Sequence, residues 1–169
     1  MKTAIESVFP ICITNSCIWE PTSESLFIHD PKDGKCIIID DKDLAHFIVS
    51  NPSLKALTFL AIDHCIWGDD SEHRKCDFAI TDQITFVFVE IKDTYKRYPS
   101  HKASAKEQLE DTIKEFDEVF DMKFLSRKAI ISWNFKKTYP AAKTKMQSAE
   151  VHFWDNYQVE LMEGNSFSF

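Results

Sequence analysis

The chain has 169 residues, 44% hydrophobic and 13% aromatic with 14 Phe, enough apolar material for one sizeable core and hence one domain. A net charge of −7 excludes a protein that coats nucleic acid without discrimination. No apolar run approaches the roughly 18 residues of a membrane-spanning helix, and the start MKTAIESVFPICITNS lacks the basic and long apolar regions of a secretory leader. The expectation is a soluble, cytoplasmic protein. Its five cysteines, an odd number in no disulfide-like pattern, are expected to be reduced thiols.

In chain order, residues 1–24 carry few signals and read as an irregular or partly extended entry. Residues 25–40, SLFIHDPKDGKCIIID, read as a hairpin: Leu26 to His29 and Lys35 to Ile39 flank the turn Pro31-Lys32-Asp33-Gly34. This N-terminal region, 1–40, is taken as accessory to a core spanning 41–162. Asp41-Lys42-Asp43 opens a helix with Leu44, Phe47 and Ile48 at helical spacing, ending before Pro52. Leu54 to Asp63 is a buried strand. The loop that follows contains His64, Cys65, His73 and Cys76, a set that could ligate zinc. Adjacent His64 and Cys65 are awkward joint ligands, however, and Asp69, Asp70 and Glu72 suit a solvated loop.

The stretch from Lys75 to Asp93, KCDFAITDQITFVFVEIKD, is the most informative. Cys76 to Ile80 and Ile84 to Ile91 read as adjacent strands joined by Thr81-Asp82-Gln83, an antiparallel hairpin whose second strand is apolar enough to be covered on both faces. Alternation puts Ile84, Phe86, Phe88, Glu90 and Lys92 on one face and the residues between them on the other. Folding the hairpin can bring Asp77 close to Glu90. Two carboxylates and an ammonium at the end of an apolar hairpin are costly unless paired or bound to a cation. A divalent metal such as Mg2+ or Mn2+, which favours oxygen ligands, is the natural occupant.

Residues 94–106, TYKRYPSHKASAK, form a basic loop running into a helix, with Lys96, Arg97, Lys102 and Lys106 placed to touch a nucleic-acid backbone and two tyrosines able to stack on bases. The helix from Ser104 to Phe124 carries Leu109, Ile113, Phe116, Phe120 and Phe124 on one apolar stripe. Lys128 to Trp133 is the next core strand, paired beside the Glu90 strand through the helical crossover. Pro140 starts a helix to about Asp155 with Met146, Ala149, Val151 and Phe153 inward, and Val159 to Met162 is a last strand before the tail. Charge is uneven: residues 1–90 hold 7 basic and 15 acidic side chains, residues 91–169 hold 13 and 12. Lys136 and Lys137 fall in a basic stretch, Met122 to Ala149, that has no acidic residue and could form a phosphate-binding surface.

Asp77, twelve residues, then Glu90-Ile91-Lys92 resembles the active-site signature of the PD-(D/E)XK, or restriction-endonuclease-like, nuclease superfamily. Cys76 stands where the family pattern has Pro, a position that supplies no ligand. The strand pair, long helix and further strand follow the element order of that superfamily's core. The resemblance implies an α/β fold, a mixed central β-sheet flanked by helices with an αβββαβ core. It further implies Mg2+- or Mn2+-dependent phosphodiester hydrolysis leaving a 5′ phosphate, with DNA favoured over RNA. Asp77, Glu90 and the Ile91 backbone carbonyl would hold the metal, and Lys92 would position the attacking water. Gln108 and Lys106 resemble the polar helix residues that many of these nucleases aim at the metal site. A further acidic residue often lies on the helix before the core sheet, where Asp43 is the candidate, although an N-terminal cap is its simpler role. Small members of the superfamily commonly serve in defence against foreign nucleic acid. Three competing readings remain: a non-catalytic interaction module that keeps this fold, a subunit active only as a homodimer or with an activating partner, and a zinc-stabilised domain using Cys65 and Cys76.

Overall fold

A computed structural model describes residues 1–66, 74–92, 98–120, 126–134, 140–143 and 147–169. Its architecture is mixed α/β: two β-sheets in face-to-face layers, with helices against the larger one. The entry that reads as irregular in the sequence is ordered. It forms helices α1 (Lys2–Val8) and α2 (Ile11–Thr14) and a short strand β1 (Ile18–Trp19), held by burial of Ile5, Cys12 and Cys17.

The hairpin at 25–40 forms as read, with β2 (Ser25–His29) antiparallel to β3 (Ile37–Ile39) and Phe27 opposite Ile39. The helix expected from Asp41 does not form. A single 3-10 turn at Lys42–Leu44 gives way to strand β4 (Phe47–Ser50), which pairs antiparallel with β2. The spacing of Leu44, Phe47 and Ile48 is helical, but Phe47 and Val49 alternate inward as well, and Phe-Ile-Val is β-branched and aromatic. The sheet partner decides the contest. Asp41, not Asp43, caps the turn, its carboxylate accepting the Asp43 N–H, and Asp43 itself is exposed.

The larger sheet runs β1, β5 (Thr58–Ala61), β6 (Phe78–Thr81), β7 (Thr85–Lys92), β8 (Ser126–Trp133), β10 (Val159–Glu163), β9 (Ala142–Lys143). Strands β5, β6 and β7 form an antiparallel meander. Helix α3 (Tyr98–Val119) then crosses over, and β8 returns parallel to β7 with Glu90 beside Ile131 and Lys92 beside Trp133. The helix begins six residues before Ser104, and its apolar stripe docks on β7, with Phe116 against Phe86 and Phe88 at 5.9 and 5.4 Å between ring centres.

Pro140 does not start a helix. It makes a β-bridge to Ser166, β9 follows, and α4 begins only at Gln147 (Gln147–Tyr157), burying Ala149 and Phe153 and leaving Val151 exposed. The tail is likewise structured: β11 (Ser166–Ser168) pairs parallel to β4 and completes the smaller sheet, β11-β4-β2-β3. That sheet covers the face of the larger one opposite α3, with Phe47 edge-on to Phe78 at 5.6 Å.

The cysteines are not all reduced thiols. Cys17 and Cys65, 48 residues apart, are joined by a disulfide with Cα atoms 5.8 Å apart. It ties the entry segment to the turn after β5, where the Ala61 N–H donates to the Cys17 carbonyl and Asn15 Nδ2 to the Cys65 carbonyl, both at 2.9 Å. Cys65 is therefore not a zinc ligand, Cys76 is wholly buried, and His73 lies outside the described residues. No helix of the described residues is long and apolar enough to cross a membrane.

Closing a loop of this length restricts the unfolded chain. Replacing Cys17 by Ser should cost about 2–4 kcal/mol of stability. Denaturant melts with and without a dithiol reductant check this: reduction should destabilise the wild type by a similar amount and leave Cys17→Ser unchanged.

Candidate active site

The site lies where β6 begins and β7 ends. Asp77 is the residue before β6, whose first pair joins Phe78 to Val89, next to Glu90. It is held there by its backbone: the Asp77 N–H donates to the Val89 carbonyl at 3.1 Å, and its own carbonyl accepts the Ile62 N–H at 2.9 Å. Its side chain curls along the strand end, where Oδ2 accepts the Ile91 N–H at 2.5 Å. Since the N–H and carbonyl of one strand residue leave by the same edge, the Ile91 carbonyl faces this side as well. The Lys92 carbonyl, by contrast, is taken on the β8 side by the Asn134 N–H at 3.0 Å.

Glu90 and Lys92 share the face covered by α3, as alternation requires. Lys92 Nζ lies 2.5 Å from Glu90 Oε1 and donates to Gln108 Oε1 at 2.6 Å. Gln108 in turn donates from Nε2 to the Lys75 carbonyl at 2.9 Å, and Ser104 Oγ reaches Gln108 Oε1 at 3.2 Å. The sequence-read quartet Asp77, Glu90, Lys92 and Gln108 is thus brought together. Thr112, one turn along, completes the clamp: its hydroxyl donates to the Gln108 carbonyl and accepts the Cys76 N–H, both at 2.8 Å. Sequence reading missed Thr112, although a Thr spaced three before Glu115 and four before Phe116, inside an apolar helix stripe, was a legible anomaly.

Burial sets the electrostatics. Glu90 is 1% exposed and Asp77 8%. Glu90 is pushed up to about 8, chiefly by burial, with Lys92 opposing and Asp30 and Asp63 adding to the rise. The Asp77 carboxyl is raised well above the usual carboxylate range by burial, then by Glu90 and Asp30, against the Ile91 N–H and Lys92. Glu90 Oε2 is buried with no hydrogen-bond partner among the described residues. Such an orphan acceptor is costly, and a hard cation is the partner that suits it. Asp77, Glu90 and the Ile91 carbonyl therefore fit the divalent metal that the sequence implies. Among the described residues no group of three or more His, Cys, Asp or Glu converges as a metal cage.

The basic residues fare differently. Lys102, expected at nucleic acid, is 6% exposed and ion-paired with Glu163 on β10. One turn of α3 nearer its start than Lys106, it points into the protein, where a carboxylate and the aliphatic packing hold it. Lys106 is half-buried in a groove with Glu107, Glu110 and His152 between α3 and α4. Arg127 pairs with Asp117 at 2.9 Å and Lys128 with Glu160 at 2.5 Å. Lys96, Arg97, Lys136 and Lys137 lie outside the described residues.

No family model matches the chain, and no curated protein or solved structure matches it either.

The raised Glu90 carboxyl carries a pH signature. Below its ordinary value of 4.5 both folded and unfolded chains are protonated. As pH rises toward 8 the unfolded chain releases this proton while the folded one retains it, so stability falls across that window and the loss is complete above it. Glu90→Gln should remove this slope and melt above the wild type by a margin that grows from about pH 5 to about pH 8 in chelator. Equal melting curves across that range would contradict it.

Proposed function

We propose that this chain is a metal-dependent nuclease of the PD-(D/E)XK type that hydrolyses phosphodiester bonds, with DNA as the favoured substrate and defence against foreign nucleic acid as the setting. The observation that carries the reading is the buried Asp77–Glu90 pair, one carboxylate oxygen of which lacks a partner, beside an ammonium held at a fixed position by Gln108. The meander β5-β6-β7, the crossover α3 and the parallel β8 agree with the βββαβ part of the expected core, whose leading helix is replaced by β4.

The chain's own groups divide the work. Asp77 and Glu90 supply hard anionic oxygens on adjacent strands, and the Ile91 carbonyl faces the same edge. When bound, Mg2+ or Mn2+ would lower the pKa of a water and polarise the phosphate. Lys92, a charged donor between Glu90 and Gln108, is set to orient the attacking water and to offset charge that develops on the phosphate oxygens. Gln108 fixes Lys92 and, through the Lys75 carbonyl, the approach to Asp77.

A second reading, a subunit that cuts only with a partner or as a homodimer, draws on the basic side chains. Lys102, Arg127 and Lys128 are occupied by Glu163, Asp117 and Glu160. A partner would then provide phosphate contacts.

Cleavage of plasmid, linear duplex, single-stranded DNA and RNA in Mg2+ or Mn2+ tests the reading. Wild type should cut at least one substrate and be silenced by chelator. Asp77→Ala should abolish cutting, and Lys92→Ala should lower it about 100-fold or more. Gln108→Ala should lower it by about 10-fold, as expected for a residue that orients another. Cutting that survives Asp77→Ala would refute the assignment, and inactivity of a folded wild type on every substrate would favour the partner-dependent form.

A further inference from the structure

Cys17 holds the turn after β5 at two points. Its sulfur is bonded to Cys65, and its carbonyl accepts the Ala61 N–H at 2.9 Å. Between these anchors lie Ile62 and Asp63, whose N–H groups both donate to the Asp77 carbonyl, at 2.9 and 3.3 Å. The turn then closes on itself, with the Cys65 and Ile66 N–H groups on the Ile62 carbonyl at 3.2 and 3.0 Å. Strand β5 ends at Ala61, so the segment that grips Asp77 is held by the entry segment rather than by the strand ladder. Each cysteine also follows a non-glycine residue in the left-handed region, Ser16 at φ 51° and His64 at φ 54°. Such backbone is strained and persists only while its surroundings impose it. With the cross-link open, both turns are able to relax.

Resting on the cation reading of the Asp77–Glu90 site, we propose that the Cys17–Cys65 bond is a redox-sensitive clamp on that site, whose reduction frees the Ile62–Asp63 turn from the Asp77 carbonyl and weakens cation binding. The step is a thiol–disulfide exchange with a dithiol reductant. The Cys17–Cys65 S–S bond breaks, two electrons and two protons pass to the cysteines to give two thiols, and the dithiol closes to its own disulfide. Both cysteines are buried, so the entry segment lifts before a thiolate reaches the bond. A cross-link that acted on the unfolded chain alone would raise stability and leave the native site as it is. A clamp changes the native site as well.

The experiment is calorimetric titration of Mn2+ into the oxidised and the reduced full chain, the latter freed of dithiol under nitrogen, well below the melting temperature of both. Backbone amide hydrogen exchange is followed alongside without metal. Reduction is expected to weaken the Mn2+ Kd by about 10-fold. It should also speed exchange at Ile62 and Asp63 by about 10-fold relative to Val87 in the middle of β7. The double variant Cys17→Ser, Cys65→Ser should match the reduced chain in both readouts and be indifferent to dithiol. Equal Mn2+ affinity in the two redox states, or exchange at Ile62 and Asp63 that does not outpace Val87 on reduction, would overturn the clamp. Failure of the cation reading looks different: the oxidised wild type then binds no Mn2+, while the exchange comparison still decides whether the bond holds the turn.

Discussion

The structure depends on two carboxylates buried at one end of the β6–β7 hairpin. A buried carboxylate is destabilising unless it is protonated, paired or bound to a cation, and the Lys92 ammonium pairs with Glu90. Lys92 takes Glu90 Oε1 and leaves Oε2 orphaned; Asp77 has the Ile91 N–H. A fold that keeps such a pair stores an affinity for positive charge. The surrounding elements make sense as what keeps that pair from relaxing.

Three of them act directly. The β6–β7 pairing, with the Asp77 N–H on the Val89 carbonyl, sets the two carboxylates at the same end of the hairpin. Helix α3, pressed on β7 by Phe116, presents Gln108 and Thr112 one turn apart, so that a single helix face grips Lys92, the Lys75 carbonyl and the Cys76 N–H. The smaller sheet closes the opposite side through Phe47 on Phe78 and His46 on Ser132. Its Asp30 adds negative field rather than relief. Ordinary core packing thus supplies the rigidity that the proposed catalytic constellation requires.

What could be read from the sequence follows from how local each determinant is. The run Ile84 to Ile91 and the face shared by Glu90 and Lys92 were legible because strand alternation needs nothing beyond the strand itself. Gln108, which the family resemblance suggested, meets Lys92 at 2.6 Å. The β4 segment was misread because Leu44, Phe47 and Ile48 fit either period, and the choice was made by β2, a partner some twenty residues earlier in the chain. The tail strand β11 and the bridge at Pro140 depend on β4 and on each other, so no local pattern announced them. The Cys17–Cys65 bond spans 48 residues and is a property of the folded chain alone. Lys102 looked available because composition reports charge but not direction.

The most direct test of the central claim, that the buried pair is a cation site, is the proton count on Mn2+ binding near neutral pH. Calorimetry in buffers of different ionisation heat measures it. Because burial raises the Glu90 carboxyl to about 8 and raises Asp77 as well, binding near neutral pH should release protons, and Glu90→Gln should release fewer and lose most of the affinity. Mn2+ that binds without proton release, or that binds Glu90→Gln as tightly as wild type, would contradict the account.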